Sequence, residues 1–292
     1  MNYKEKLAEY AAEVEAAIDR FLPERKSPQS EIYRAMRYSV LGGGKRIRGV
    51  LTLVCCELCG GNREKAIPFA AAVEMVHAYS LMHDDLPAMD NDDMRRGKPS
   101  NHIAFGEAMA ILAGDGLLGE AVNVIVKNAE KSDAAWKALG ILTNAYGPEG
   151  MLGGQVVDMQ SENKQISYDE LLYLQRHKTG ALIKAACLMG AHIGGGDEKI
   201  LAKLESYAEK IGLAFQVKDD ILDVESSEEV LGKNIGSDRA QGKSTFVSIC
   251  GLDEAKQTVE RLSKEAAELF GGDSESERFL RETAEYLAKR KN

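Results

Sequence analysis

The chain has 292 residues, 37 of them Lys or Arg and 46 Asp or Glu, for a formal charge of −9. That acid excess excludes the broad basic face that general nucleic-acid binding requires. No run approaches the roughly 18 uninterrupted apolar residues of a membrane span, so no transmembrane segment is expected.

Ala, Leu, Glu and Lys dominate, only six prolines occur, and apolar residues return every three or four positions, as amphipathic helices require. The first helix, over 3–20, is charged and lacks the apolar centre of a signal peptide, which points to the cytoplasm. Further helices are predicted over 30–40, 46–59, 64–85, 104–129, 134–146, 149–160, 168–190, 198–224, 252–270 and 275–290, and no strand is predicted. Glycine breaks such as Gly42-Gly43-Gly44, Gly60-Gly61, Gly194-Gly195-Gly196 and Gly271-Gly272 separate them. Ala70 to Val76, Ala181 to Gly190 and Ile211 to Phe215 are apolar on most faces, so they should be core helices ringed by the rest. An all-α fold forming one domain over 1–292 is the expectation.

Chemistry-bearing residues follow the same order. Gly44-Lys45-Arg46-Ile47-Arg48 sets basic side chains at a glycine-rich helix start, where exposed N–H groups favour an anion. Five cysteines include Cys55, Cys56 and Cys59, but no second pair completes a metal site, and they read as small buried fillers. His77 and His83 stand six apart on an apolar helix, which does not suit a two-histidine site.

In Asp84-Asp85-Leu86-Pro87-Ala88-Met89-Asp90, Pro87 must end the helix near Asp85, so Asp90 has to fold back from a turn. Arg95-Arg96 follows as a potential phosphate clamp. Asp219-Asp220-Ile221-Leu222-Asp223 stacks Asp219 and Asp223 one above the other on a helix, about 6 Å apart along the axis. Converging carboxylates repel by roughly 4 kcal/mol at 4 Å in a cleft unless a cation lies between them. Hard oxygen donors without His or Cys select Mg²⁺, which bridges readily to phosphates. Gly242-Lys243-Ser244-Thr245 is not a P-loop, because Ser237 stands where that motif needs glycine and no strand precedes it.

The stretch from His77 to Pro99, with its DDLPAMDNDDMRRG core, resembles the first aspartate-rich region of the short-chain (E)-polyprenyl diphosphate synthases, in the form of bacterial farnesyl diphosphate synthases. Gly44-Lys45-Arg46-x-Arg48, Gly154-Gln155-x-x-Asp158, Lys178-Thr179-Gly180, Phe215-Gln216-x-x-Asp219-Asp220-x-x-Asp223, Gly232-Lys233 and Gly242-Lys243 extend the likeness over roughly 30–250. It departs at Gly49, where the family usually has proline. The resemblance implies an isoprenoid synthase fold, a helical bundle around a deep cavity and usually a homodimer. It implies three Mg²⁺ between Asp84, Asp85 and Asp90 on one wall and Asp219, Asp220 and Asp223 on the other. Arg95, Lys178, Lys233 and Lys243 would hold the allylic diphosphate, with Thr179 and Gln216 beside it, and Lys178, Thr179 and Gln216 would stabilise the allylic cation. Lys45, Arg48, His77 and Arg96 would hold isopentenyl diphosphate.

Tyr79 and Ser80 lie one turn below Asp84, so an aromatic ring there can floor the pocket. In the family a bulky residue at that level accompanies a C15 product, and farnesyl diphosphate is the expected product. Geranylgeranyl diphosphate synthesis, or a noncatalytic partner subunit of the same fold, are the alternatives. The role of Asp115 stays open at this point.

Overall fold

The computed structural model describes residues 2–225 and 244–290. Helices α1 (Tyr3–Phe21), α2 (Ser30–Val40), α3 (Ile47–Leu58) and α4 (Ile67–Asp84) form the N-terminal part. A two-residue hairpin (Met94–Arg95 with Lys98–Pro99) leads to α5 (Asn101–Phe105), α6 (Glu107–Asn128), α7 (Asp133–Tyr146), α8 (Met151–Ser161) and α9 (Tyr168–Gln175). A π turn over Arg176–Gly180 joins α9 to α10 (Ala181–Gly194), then α11 (Glu198–Glu225). After the undescribed stretch come α12 (Phe246–Cys250), α13 (Leu252–Glu268) and α14 (Glu275–Lys289). The expected all-α class holds.

Helix α4 is apolar nearly all round and is buried from Pro68 to Val76, packed among α1, α2, α3 and α6. Pro68 in its first turn costs nothing, since the missing N–H has no intrahelical acceptor there. The main core gathers residues of α1, α3, α4, α6, α7, α10 and α14. A smaller cluster joins Val217 and Ile221 of α11 to Phe246, Ala255 and Val259. Helices α3 and α10 approach so closely that a Cβ on Gly190 would overlap the Thr52 carbonyl oxygen, and one on Gly194 the Cys56 carbonyl. Gly190→Ala is therefore expected to destabilise the fold by about 1–3 kcal/mol through overpacking, read from the midpoint of urea unfolding. Cys55, Cys56 and Cys187 fill this seam as free, buried thiols.

Four local features differ from the sequence expectation. The helix expected over 104–129 breaks at Gly106, whose φ of +85° suits glycine. The one expected over 168–190 is interrupted by the π turn. Arg96 (φ +53°) and Gly97 (φ +73°) turn a short hairpin where no strand was predicted. Helix α12 was not predicted. Among the described helices, α6 has the length and apolar composition to cross a membrane. It packs against α4 and α2 instead, leaving Leu112 and Val126 exposed, while Ile111, also exposed, borders the central cavity.

Candidate active site

At the end of α4 the chain does what Pro87 dictates. The Met89 N–H donates to the Leu86 carbonyl (2.8 Å), and the Asp90 N–H returns to the Asp84 carbonyl (2.9 Å). The turn thus brings Asp90 back beside Asp84. Asp85 points the other way: it is 2% exposed, and the Arg95 Nε donates to both its oxygens at 2.7 and 2.8 Å. Asp84 lines the central cavity. Burial pushes its carboxyl up to about 6, Lys178 opposes that, and Asp90 adds to it. A carboxylate held this way gains from any cation that enters.

The π turn presents Lys178 and Thr179 to the same cavity. The Lys178 Nζ donates to Asp158 Oδ2 at 2.6 Å. Burial alone would lower the Lys178 pKa, but Asp84 and Asp158 outweigh it and hold the ammonium above its usual range. Gly154 explains how α8 reaches this turn, because a Cβ there would overlap the Lys178 backbone nitrogen. Such π insertions recur at functional sites because they re-aim side chains without ending a helix.

A basic group gathers around His77. His77 is held neutral, its pKa driven well down by burial and then by Arg48, Arg96, Arg95 and Arg46. The Arg48 pKa is lowered by burial against the pull of Glu74 and Asp219, which places Arg48 between this group and the second aspartate triplet. Arg96 donates to the Gly43 carbonyl and lies flat over Gly44, where a Cβ would stand 2.9 Å from its guanidinium carbon. Lys45 is exposed, its ammonium 5.6 Å from the Tyr286 ring centroid.

The sequence did not single out Arg46 as a separate site residue, nor Glu74. Arg46 is 3% exposed, starts α3 in a left-handed conformation and faces Glu74 (3.9 Å) and Glu15 (3.5 Å). Glu74, also 3% exposed, accepts from the Gly49 N–H at 2.9 Å. A proline at 49 would have no N–H to give, so the departure at Gly49 supplies this contact. A glutamate in the middle of an apolar helix was the available signal, since buried carboxylates need partners.

Of the second triplet, Asp219 meets Arg290 just beyond α14 (2.5 Å), and that guanidinium also donates to the Phe215 carbonyl at 2.8 Å. Asp220 is drawn into the packing: its Oδ2 accepts from the Phe246 N–H at 2.6 Å. At least one oxygen expected to face a metal is therefore committed to joining α11 to α12. Asp223 is half-buried one turn after Asp219, and Gln216 half-buried three residues before it. Lys233 and Lys243 lie outside the described residues.

Among the described residues no three acidic, His or Cys side chains already converge at ligating separation. The donors nonetheless suit a hard divalent cation. They are carboxylates, Asp84 and Asp90 are neighbours, and burial penalises the charge that a cation would neutralise.

The cavity below Asp84 has a volume of about 350 Å³ and is lined by Tyr79, Ser80, Met151 and Leu182. Tyr79 is 6% exposed, and its pKa is raised by burial, then by Asp84 and Asp115. The Ser80 hydroxyl is turned back to the His77 carbonyl (2.9 Å). Asp115 itself is exposed on α6.

Over residues 29–286 the chain matches the polyprenyl synthetase family. It is 44% identical over 262 residues to a farnesyl diphosphate synthase of Geobacillus stearothermophilus, covering 89% of this chain and 88% of that protein. It is 45% identical over 288 residues to the large subunit 1 of a chloroplastic heterodimeric geranylgeranyl pyrophosphate synthase of Arabidopsis thaliana, covering 96% and 77%. A solved FPP/GFPP synthase from Zymomonas mobilis superposes with a TM-score of 0.88 at 34% identity, covering 98% and 99%.

Proposed function

We propose that this chain, which belongs to the polyprenyl synthetase family and is a prenyltransferase of isoprenoid biosynthesis, makes (2E,6E)-farnesyl diphosphate. It does so by condensing isopentenyl diphosphate head to tail with dimethylallyl and then geranyl diphosphate. The observation that carries the product length is the buried Tyr79 ring lining the cavity one turn below Asp84.

Three Mg²⁺ ions would be held by Asp84 and Asp90 on one wall and Asp219 and Asp223 on the other, with Asp85 and Asp220 fixing those walls. Bound there, Mg²⁺ supplies positive charge for the departing diphosphate. Lys178 and Arg95, with Lys233 and Lys243, orient the allylic diphosphate and favour the state in which negative charge has moved onto it. Thr179, Gln216 and the Lys178 carbonyl offer lone pairs to the allylic cation without attacking it. Lys45, Arg48, Arg96 and neutral His77 hold isopentenyl diphosphate with its double bond toward that cation. The departing pyrophosphate takes the proton, so no side-chain base is required. The apolar walls, Tyr79 and Leu182 among them, keep water from the cation.

A second copy of the chain fits the exposed apolar residues Leu112 and Val126 of α6 and Trp136 of α7, and a cytoplasmic homodimer is part of the proposal. Sedimentation at the monomer mass would remove the dimer from it.

The test is product analysis after incubation with isopentenyl and dimethylallyl diphosphates, with Mg²⁺ and with EDTA. A metal-dependent C15 diphosphate is expected. A C20 product favours the geranylgeranyl reading, which the plant relative supports, and no condensation favours a noncatalytic subunit.

A further inference from the structure

His83 has no part in the scheme above, yet it is built into the cavity more tightly than its place before Asp84 requires. Its Nε2 lies 3.2 Å from the Ile111 carbonyl of α6. A carbonyl only accepts, so that nitrogen carries the proton. The imidazole lies flush on α6 at Gly114, where a Cβ would overlap Nε2 and stand 2.5 Å from Cδ2. On its other side it meets the Tyr79 ring edge to face, with centroids 5.1 Å apart and planes at 76°.

These contacts form a chain. Residues 79 and 83 share one face of α4, and a helical side chain leans toward the preceding turn, so the imidazole covers the tyrosine. Alone, Tyr79 could swing about χ1. With α6 behind it, His83 removes the space into which the ring would turn. Resting on the reading of Tyr79 as the cavity floor, we propose that His83 is a positioning residue for product length, pinned between the Ile111 carbonyl and Gly114 so that the Tyr79 ring stays across the path of the growing chain. Gly114 is then a specificity-determining position, because any side chain there expels the imidazole.

The experiment compares the C20 to C15 product ratio of wild type, Tyr79→Ala, His83→Ala, His83→Gln, Gly114→Ala and the His83→Ala/Gly114→Ala pair. His83→Ala is expected to raise the ratio by roughly tenfold, within the range that one apolar pocket contact discriminates. His83→Gln, whose amide reaches the same carbonyl, should restore much of the wild-type ratio. Gly114→Ala should shift the ratio in the same direction, and adding His83→Ala should shift it no further, since the group it displaces is already gone. A merely structural role would lower yield and stability without moving the ratio. If Tyr79→Ala lengthens the product while His83→Ala and Gly114→Ala do not, the brace is overturned and the floor stands. If Tyr79→Ala itself leaves the product at C15, the floor reading fails.

Discussion

Asp84→Asn is expected to lower kcat by about 10³-fold while leaving the protein folded. The substitution keeps the shape of the side chain and removes only its charge. That charge faces the cavity beside Asp90 and feels Lys178 across it, so the variant loses a donor for the cation and a partner for the ammonium. Losing about 4 kcal/mol of transition-state stabilisation, the scale of one charge contact to a departing oxyanion, corresponds to that factor. Without metal, the carboxylate is held against a burial penalty that asparagine does not carry. The variant should accordingly melt at or above the wild-type temperature in EDTA. Steady-state kinetics at saturating substrates and a thermal melt on the same preparation check both. A fall in kcat with a parallel fall in melting temperature would mean that Asp84 serves the fold and not the reaction.

That trade between stability and chemistry bears on what was readable in advance. The turn after α4 was legible because it follows from one residue: Pro87 cannot continue a helix, and the backbone returns Asp90 to Asp84 as that demands. Apolar residues on most faces similarly marked α4 and α10 as core helices. The π turn was not legible, because the periodicity of 168–190 differs little whether one residue is inserted or not. What it packs on lies in another segment, at Gly154 of α8, which lets the Lys178 backbone approach. The pairings of Arg46 with Glu74, Asp220 with the Phe246 amide and Asp219 with Arg290 are contacts between distant segments. Spacing along one element carries no information about them. Glu74 could be guessed only as a charge in apolar surroundings that needs a partner, and Arg290, between Lys289 and Lys291, carried no such mark.

Those distant contacts set the other large effect, at Arg48. Its Nε is buried without a hydrogen-bond partner among the described residues, as are Nε and Nη2 of Arg46. Around it stand Arg46, Arg96 and a neutral His77, so an anion is the group this corner requires. Arg46 has Glu74 and Glu15 to face, whereas Arg48 keeps its charge against burial with Glu74 and Asp219 as counter-charges. Arg48→Met preserves the apolar stem and removes the guanidinium. It is expected to raise KM for isopentenyl diphosphate about 10²-fold, equivalent to roughly 3 kcal/mol for a charge-assisted contact to phosphate. The KM for geranyl diphosphate should change by less than about threefold, because Lys178 sits with Asp84 and Asp158 and not in this basic group. Initial-rate measurements varying each substrate separate the two. Equal losses for both would place Arg48 on the allylic side with Asp219, and the division of the cavity into an isopentenyl corner and an allylic wall would have to be redrawn around that residue.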